Sequence, residues 1–246
     1  MTLIDPRTSI IERRFSEIKN IIVVTSGKGG VGKSMISSTL ALILSRSGKR
    51  VGLLDLDFTS PSTHVILGVN NLYPEEKNGI VPPLVHNIRY ISIVYYAKDK
   101  ATPFRGIDAT NALIELLAIT RWGPLDYLLL DLPPGIGDVT LDIIRLLERA
   151  RFLIITTPSL LAYETVKKLI GLLQNLHVPI IGVIENMHLE TKESIKDKIE
   201  KEGVKFLGVV PYDEELDYSL GDVSRLLSTA FSHKLQIISE EALREK

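Results

Sequence analysis

Short apolar runs alternate along the chain with longer segments that have helical periodicity. Most of the runs are continuously apolar rather than alternating, which is typical of strands buried on both faces of a parallel sheet. The predicted strands are 21–26, 50–57, 88–95, 126–133, 151–158, 179–186 and 204–211. The predicted helices are 33–47, 108–120, 138–149, 160–176, 191–202 and 222–244.

Strands and helices in this β-α-β-α order imply right-handed crossovers and an open sheet. We therefore predict an α/β fold, in which a doubly wound, mostly parallel sheet is flanked by helices on both faces. A length of 246 residues suits one domain, and we see no linker or internal repeat. Residues 1–19 are expected to form an N-terminal arm or short helix that packs on the outside.

Composition narrows the possible partners. The net charge is −1 and 45% of the residues are hydrophobic, so we expect neither nucleic acid nor a stable membrane anchor. No apolar run approaches the roughly 18–20 residues that span a bilayer. The N-terminus lacks the apolar core of a signal peptide, which makes the cytoplasm the expected location.

The chain contains no cysteine. Disulfides, thiolate zinc sites and cysteine-ligated iron–sulfur clusters built by this chain alone are therefore excluded. Its five histidines are scattered without ligand spacing, so we expect no structural metal site. They are His64, His86, His177, His188 and His233.

The stretch GKGGVGKS at 27–34 fits the phosphate-loop pattern G-x-x-x-x-G-K-[ST], between an apolar strand and an amphipathic helix. Its glycines let backbone N–H groups turn inward, and the helix N-terminus adds partial positive charge. Lys33 can reach the β- and γ-phosphates, and the Ser34 hydroxyl can ligate Mg²⁺. The residues expected to bind nucleotide here are Gly27, Lys28, Gly29, Gly30, Val31, Gly32, Lys33, Ser34 and Met35.

Carboxylates end two of the predicted strands. Asp55 and Asp57 lie on one side of their strand by alternation, near the end where ligands bind in such sheets. Asp131 ends the run LLLD, and Pro133 and Pro134 stiffen the turn that follows it. For Asp55 a structural and a functional role are equally open.

The phosphate-loop pattern does not need Lys28. The sequence K-G-G-x-G-K-[ST] resembles the deviant Walker A motif of the SIMIBI ATPases, a group that includes MinD, ParA, the nitrogenase iron protein and the Mrp/ApbC family. This resemblance implies that Lys28 reaches across a nucleotide-bound dimer to the partner's phosphates. A cation there would neutralise the charge that develops in phosphoryl transfer.

From about residue 20 to 220 the chain resembles the Mrp/ApbC family, whose members are usually dimeric ATPases implicated in carrying or assembling iron–sulfur clusters. The resemblance rests on TSGKGGVGKS, VGLLDLDFTSPS, FRG at 104–106, LDLPPGIGDV, IITTPS, GVIENM and LGVVPYDEEL. Leu56 stands at a position that is commonly alanine there, which is a mild departure.

The resemblance implies ATP or ADP and Mg²⁺ as cofactors, a homodimer and a client protein. Asp57 would orient the attacking water and approach Mg²⁺, and Asp131 would hold Mg²⁺ through water. The Gly135 N–H would sense the γ-phosphate and Asn186 would recognise adenine. Backbone contacts to the base would come from around Pro211 and Tyr212.

The larger departure follows Met187, where many family members carry a C-x-x-C pair. This chain reads HLETKESIKDKIEKEG instead, with Ile195 and Ile199 at helical spacing, as in a charged amphipathic helix. His188 and Glu190 are poor substitutes for thiolates toward iron. The ATPase half of the family function therefore carries over, whereas cluster ligands would have to come from a partner.

Our first hypothesis is a slow, Mg²⁺-dependent, dimeric ATPase that acts in iron–sulfur cofactor assembly without its own cluster ligands. An alternative is a MinD- or ParA-like positioning or regulatory ATPase switch. The C-terminal stretch LQIISEEALREK has three glutamates against one arginine and one lysine, which disfavours an anionic-membrane anchor. A third hypothesis is a nucleotide-binding module whose hydrolysis is vestigial.

Overall fold

The structure, a computed structural model of the protein, describes residues 5–93 and 107–244. The strands are β1 (Ile18–Ser26), β2 (Val51–Asp55), β3 (Glu75–Glu76), β4 (Ile80–Val81), β5 (Leu84–Val85), β6 (Ile88–Ser92), β7 (Leu125–Asp131), β8 (Arg151–Thr156), β9 (Ile180–His188) and β10 (Phe206–Pro211). The helices are α1 (Arg7–Phe15), α2 (Lys33–Arg46), α3 (Thr63–Ile66), α4 (Ile107–Ile119), α5 (Asp138–Leu146), α6 (Leu160–Asn175), α7 (Lys196–Lys201), α8 (Glu215–Tyr218), α9 (Val223–Leu227) and α10 (Ala230–Ala242).

The main sheet has the strand order β10-β9-β8-β1-β7-β2-β6-β5. Its neighbouring strands are parallel, except that β5 runs antiparallel to β6. From β1 the chain first builds β2, β5 and β6 on one side, returns to insert β7 next to β1, and then adds β8, β9 and β10 on the other side. The predicted doubly wound, mostly parallel sheet is confirmed. Because the parallel strands share a direction, their carboxyl ends meet at one edge.

Two apolar cores cover the two faces of this sheet. Along β1, Ile21 and Val23 face the helices α1, α4, α5, α6 and α7. The alternate residues Ile22 and Val24 face α2, α3, α9 and α10. Side chains of a strand point alternately to opposite faces, so a continuously apolar run is what a sheet covered on both sides requires.

The N-terminal segment is more deeply built in than we expected. Helix α1 packs on α4, and Ile11 and Phe15 are buried in the core. Strand β1 begins at Ile18, three residues before the predicted start. The segment therefore belongs partly to the sheet rather than only to the outside of the molecule.

Two helices of the structure differ in their bounds from the predicted ones. The helix expected over 191–202 covers only Lys196–Lys201, because the buried Glu185 carboxylate accepts hydrogen bonds from Ser194 and Ile195 just before it. The helix expected over 222–244 is divided into α9 and α10. The Thr229 hydroxyl accepts the Ser232 N–H, a side-chain cap that starts a new helix.

The hydrophobic pattern of the sequence did not predict several short helices and strands. They are α3, α8 and the strands β3, β4 and β5, each of two to four residues. The predicted strand 88–95 ends at Ser92, and its last two residues and the FRG stretch lie outside the described residues. None of the described helices is long and apolar enough to cross a membrane. The assignment of the chain to one domain stays a prediction.

A charged cluster ties together the amino ends of three central strands. Asp126 of β7 accepts hydrogen bonds from the Arg50 backbone N–H at 2.9 Å and from the Arg50 guanidinium at 3.1 Å. Its carboxylate also lies 3.0 Å from the Lys19 ammonium. The Arg50 side chain and backbone, and then Lys19, hold the pKa of Asp126 well below its usual range.

We expect Asp126→Asn to lower the free energy of unfolding by about 1 kcal/mol at neutral pH, measured by urea denaturation. Because the folded-state pKa is depressed, the stabilisation is present above the unfolded-state pKa of about 3.9 and is lost as pH falls through the folded-state value. The difference between the variant and the wild type should therefore shrink in acid.

Glu75→Gln is the matched control, because the Glu75–Lys77 pair is exposed on the β3–β4 hairpin and should leave the urea midpoint unchanged. If both substitutions changed the free energy of unfolding equally at neutral pH, Asp126 would not stabilise the three strands through its ion pairs.

Candidate active site

The phosphate-loop segment connects β1 to α2 at the carboxyl edge of the sheet. Helix α2 begins at Lys33, and Gly32 before it has a left-handed backbone with φ of +79°. The first N–H groups of a helix have no partner within the helix, so they are available to an anion in front of it. The Ser26 hydroxyl donates to the Lys28 carbonyl at 2.9 Å and braces the loop.

Two loop glycines are required by close packing. A Cβ at Gly27 would lie 2.6 Å from the Thr165 carbonyl carbon of α6. A Cβ at Gly32 would lie 2.3 Å from Nδ2 of Asn186, the residue near the end of β9 that we expected to recognise adenine. Both distances are far below van der Waals contact, so a larger residue fits only if the loop or, at Gly32, the Asn186 side chain moves.

Asn186 supports the loop in this structure. Its Nδ2 donates to the Val31 carbonyl at 2.9 Å. Its Oδ1 is buried and has no hydrogen-bond partner among the described residues. Asn186 does not line the cleft in front of the loop, and its recognition of adenine stays a prediction.

A buried cluster joins α2 to the end of β7. The Lys33 ammonium lies 2.9 Å from Oδ1 of Asp131, which has no exposure to water. The Ser34 hydroxyl donates to Oδ2 of Asp131 at 2.6 Å, and the Ser37 hydroxyl donates to Oδ1 at 2.9 Å. The predicted lysine, serine and carboxylate are thus brought together. Ser37 joins them as a residue that the motif did not indicate, although it lies one helical turn after Lys33.

The other carboxylates lie at the end of neighbouring β2. Asp55 is paired in register with Asp131 of β7 and is fully buried. Burial, and after it the charge of Asp131, raises the pKa of Asp55 to about 6. Asp57 follows the strand, and its Oδ1 accepts the N–H groups of Thr59 and Ser60 at 3.1 and 3.0 Å.

The Lys28 ammonium and the Gly135 backbone N–H differ in whether they already have a hydrogen-bond partner among the described residues. The Lys28 ammonium makes no ion pair or hydrogen bond with the described residues, and its side chain is half-buried at the cleft. The Gly135 N–H, which we expected to sense a γ-phosphate, donates to the Ser26 carbonyl at 2.8 Å. Gly135 has a φ of +87° at the turn after Pro134.

The cleft in front of the loop has a volume of about 530 Å³. Several residues that the sequence predicted for the site line this cleft: Lys28, Gly29, Gly30, Val31, Gly32, Lys33, Ser34, Met35 and Asp57. The sequence did not indicate Thr59, Ser60, Ser62, Val65, Ile66 and Leu220, which line it as well. These residues follow β2 or come from the segment after α8, and a local motif gives no signal for them.

Pro211 and Tyr212 lie farther along the same edge. Pro211 ends β10 opposite His188 of β9, and the Tyr212 N–H donates to the His188 carbonyl at 2.9 Å. Neither residue lines the cleft described above. Their contacts with a base stay a prediction.

The donors and acceptors in the cleft fit a nucleoside phosphate with Mg²⁺. The loop N–H groups and two lysines suit phosphate oxygens, and Mg²⁺ prefers oxygen ligands such as those of Ser34 and Asp57 at the cleft. Asp131 lies buried behind Ser34, whose hydroxyl donates to it. A P-loop nucleotide-binding protein is the class that this fold and site define. Comparison with known families then shows that the chain belongs to the ParA family of NUBPL-type iron-transfer P-loop NTPases, whose sequence profile matches residues 17–242.

Curated relatives share this assignment. The iron-sulfur cluster carrier protein of Rickettsia conorii is 43% identical over 179 residues, which are 72% of this chain and 56% of that protein. The carrier protein of Aquifex aeolicus is 35% identical over 215 residues, 81% of this chain and 59% of that protein. The chain thus spans a little over half the length of these relatives.

Solved structures agree with the fold. The nucleotide-binding protein from Archaeoglobus fulgidus in complex with ADP has a TM-score of 0.76 at 30% identity, covering 90% of this chain and 93% of that one. The MinD protein of Pyrococcus horikoshii complexed with Mg-ADP has a TM-score of 0.69 at 21% identity, covering 92% and 96%. At that identity the MinD likeness concerns the fold alone.

We expect Gly32→Ala to weaken nucleotide binding by at least about tenfold, because its Cβ would collide with Asn186 and displace the loop. The measurement is titration with a fluorescent ADP analogue, together with a denaturation midpoint.

Gly48→Ala is the matched control, since Gly48 has a similar φ of +81° at the far end of α2 with nothing within 4 Å of its Cβ. It should cost about 1 kcal/mol of stability and leave nucleotide affinity unchanged. Wild-type affinity in Gly32→Ala would show that the close approach to Asn186 is not needed.

Proposed function

We propose that the protein is a Mg²⁺-dependent ATPase that hydrolyses ATP slowly as a nucleotide-controlled homodimer in the cytoplasm. Its role would lie in iron–sulfur cluster assembly, with cluster ligands supplied by a client or partner protein. Lys33 and the loop N–H groups would hold the phosphates, and Ser34, Asp57 and Asp131 would hold Mg²⁺. When bound, the metal would supply positive charge to the phosphate oxygens.

The observation that carries the proposal is the contrast between the two lysines. Both lysines line the cleft, but Lys33 is paired with the buried Asp131, whereas Lys28 has no ion-pair partner among the described residues. A free cation at the mouth of a phosphate site suits a second set of phosphates, as in a shared site between two subunits.

Exposed apolar side chains support association at the same edge. They lie at or after the carboxyl ends of β7, β8, β9 and β10, on either side of the phosphate loop. Large exposed apolar groups that gather at one edge mark interaction surfaces more often than single scattered ones do. The residues are Ile136, Leu141, Leu160, Leu161, Met187, Leu189 and Tyr212.

The segment after Met187 supports the part of the proposal that concerns cluster ligands. The buried Glu185 carboxylate contacts Nδ1 of His188 at 2.5 Å and accepts the Ile195 N–H at 2.7 Å. His188 is therefore already engaged. Among the described residues, no group of three or more His, Asp or Glu side chains is placed to hold a metal ion.

The alternative, a MinD- or ParA-like positioning ATPase, predicts the same fold and the same loop. The cluster-carrier relatives are more similar in sequence than the MinD structures are, and we therefore favour a role in cluster assembly.

We expect Lys28→Ala to lower kcat for ATP hydrolysis by at least about 100-fold, because a cation that acts in the transition state is lost. The dissociation constant for ATP should change by less than about threefold, since Lys33 and the loop N–H groups remain. Phosphate release and nucleotide titration measure the two quantities.

Lys49→Ala, which removes an exposed lysine beyond the end of α2, should hydrolyse ATP at the wild-type rate. A wild-type rate in Lys28→Ala would refute the shared-site mechanism. So would a protein that stays monomeric in light scattering under all nucleotide conditions.

Anaerobic reconstitution with iron and sulfide, with and without ATP, tests the cluster ligands. Without thiolates, the purified chain is expected to show no iron–sulfur charge-transfer absorption after desalting. A stable absorption band would mean that the chain itself ligates a cluster, contrary to the proposal.

A further inference from the structure

A buried polar chain lies beneath the segment that carries Asp57. Oδ1 of Asp55 accepts the Asp57 N–H at 3.1 Å. Oδ2 of the same carboxylate accepts the Thr63 hydroxyl at 2.6 Å and the Thr63 N–H at 3.3 Å. One buried carboxylate therefore binds both ends of the segment from Asp57 to Thr63.

The chain continues from Thr63 to strand β6. The Thr63 hydroxyl lies 2.8 Å from the Tyr90 hydroxyl. Because the single Thr63 proton is directed to Asp55, the Tyr90 hydroxyl is the donor in this contact. Asp55, Thr63 and Tyr90 are all fully buried. Water does not reach these hydrogen bonds, so solvent does not compensate for the loss of one of them.

Between the two anchor points the segment is shaped by Asp57 itself. Its Oδ1 accepts the N–H and the hydroxyl of Thr59 and the N–H of Ser60. Asp55 in turn is in register with Asp131 on the neighbouring strand. The position of the Asp57 carboxylate relative to Asp131 is thus set through Asp55.

The far end of the segment also reaches the cleft wall. Helix α3 begins at Thr63, and the Ile66 carbonyl at its end accepts the Gly221 N–H at 3.2 Å. Val65 of α3 and Leu220 both line the cleft. The Thr63 hydroxyl therefore fixes the start of a short helix whose last two residues, Val65 and Ile66, form one side of the site.

We propose that Thr63 is a positioning residue for ATP hydrolysis, which holds the Asp57 segment in place through its hydroxyl between Asp55 and Tyr90. This inference rests on the proposed ATPase function. Among the described residues, the hydrogen bonds of the Thr63 hydroxyl go to Asp55 and Tyr90, and none goes to the phosphate loop or to the residues expected to hold Mg²⁺. Loss of this hydroxyl should therefore alter the rate of the chemical step and leave nucleotide binding intact.

The test uses Thr63→Val, which keeps the shape and removes the hydroxyl, with Thr63→Ser as the matched variant that retains it. Thr63→Val should lower kcat by about 10- to 100-fold, with KM for ATP within about threefold of wild type. Thr63→Ser should restore kcat to within about threefold. Tyr90→Phe, which leaves the bond from Thr63 to Asp55 in place, should cause a smaller loss than Thr63→Val.

A second readout does not depend on catalysis. Amide hydrogen exchange should accelerate in peptides spanning 56–66 of Thr63→Val and remain at the wild-type rate in peptides from the phosphate loop and in Thr63→Ser. Activity and hydrogen exchange are measured at temperatures well below the thermal unfolding midpoint of each variant, so that a general loss of stability does not produce the same result.

The outcomes separate the two proposals. If the wild type hydrolyses ATP and Thr63→Val does so equally well, or if Thr63→Ser is as slow as Thr63→Val, the positioning role is wrong and the ATPase function stands. If the wild type does not hydrolyse ATP, the proposed function is wrong, and so is the catalytic part of this inference. Unchanged exchange in Thr63→Val would overturn the anchoring itself.

Discussion

A carboxylate without access to water lies at the end of central strand β7, and the cleft is organised around it. Burying an ionised carboxylate costs several kcal/mol unless it is paired and hydrogen-bonded. Asp131 receives the Lys33 ammonium and the hydroxyls of Ser34 and Ser37, all from the first two turns of α2. The helix and the loop before it are therefore held against β7 by the same groups that would meet phosphate and metal.

Most of the sheet could be predicted because its strands are covered on both faces. Their apolar runs are continuous, so strand identity does not depend on finding the correct alternation. The errors lie where a side-chain hydrogen bond, tertiary for Glu185 and local for Thr229, ends or starts a helix. Glu185 shortens α7 by binding the residues before it, and Thr229 divides the last helix by capping α10. Periodicity alone merges such segments into one helix.

The sequence predicted many of the residues that form the candidate site, but it predicted only some of the contacts that these residues make. The loop motif identifies Lys33 and Ser34 because phosphate and Mg²⁺ need those groups at that spacing. It does not show that the Gly135 N–H is bound to Ser26 or that Asn186 supports the loop. Residues that act by holding another residue, such as Ser37, have no motif of their own.

The sheet order explains how a chain without cysteine can retain an intact phosphate site. The residues expected to bind phosphate and metal follow β1, β2 and β7, whereas the segment after Met187 follows β9, with β8 in between. Glu185 secures that segment with a buried carboxylate, so its shape does not depend on a metal. The two regions meet where Asn186, next to Glu185, donates to the Val31 carbonyl. Through this hydrogen bond the phosphate loop and the end of β9 are in direct contact.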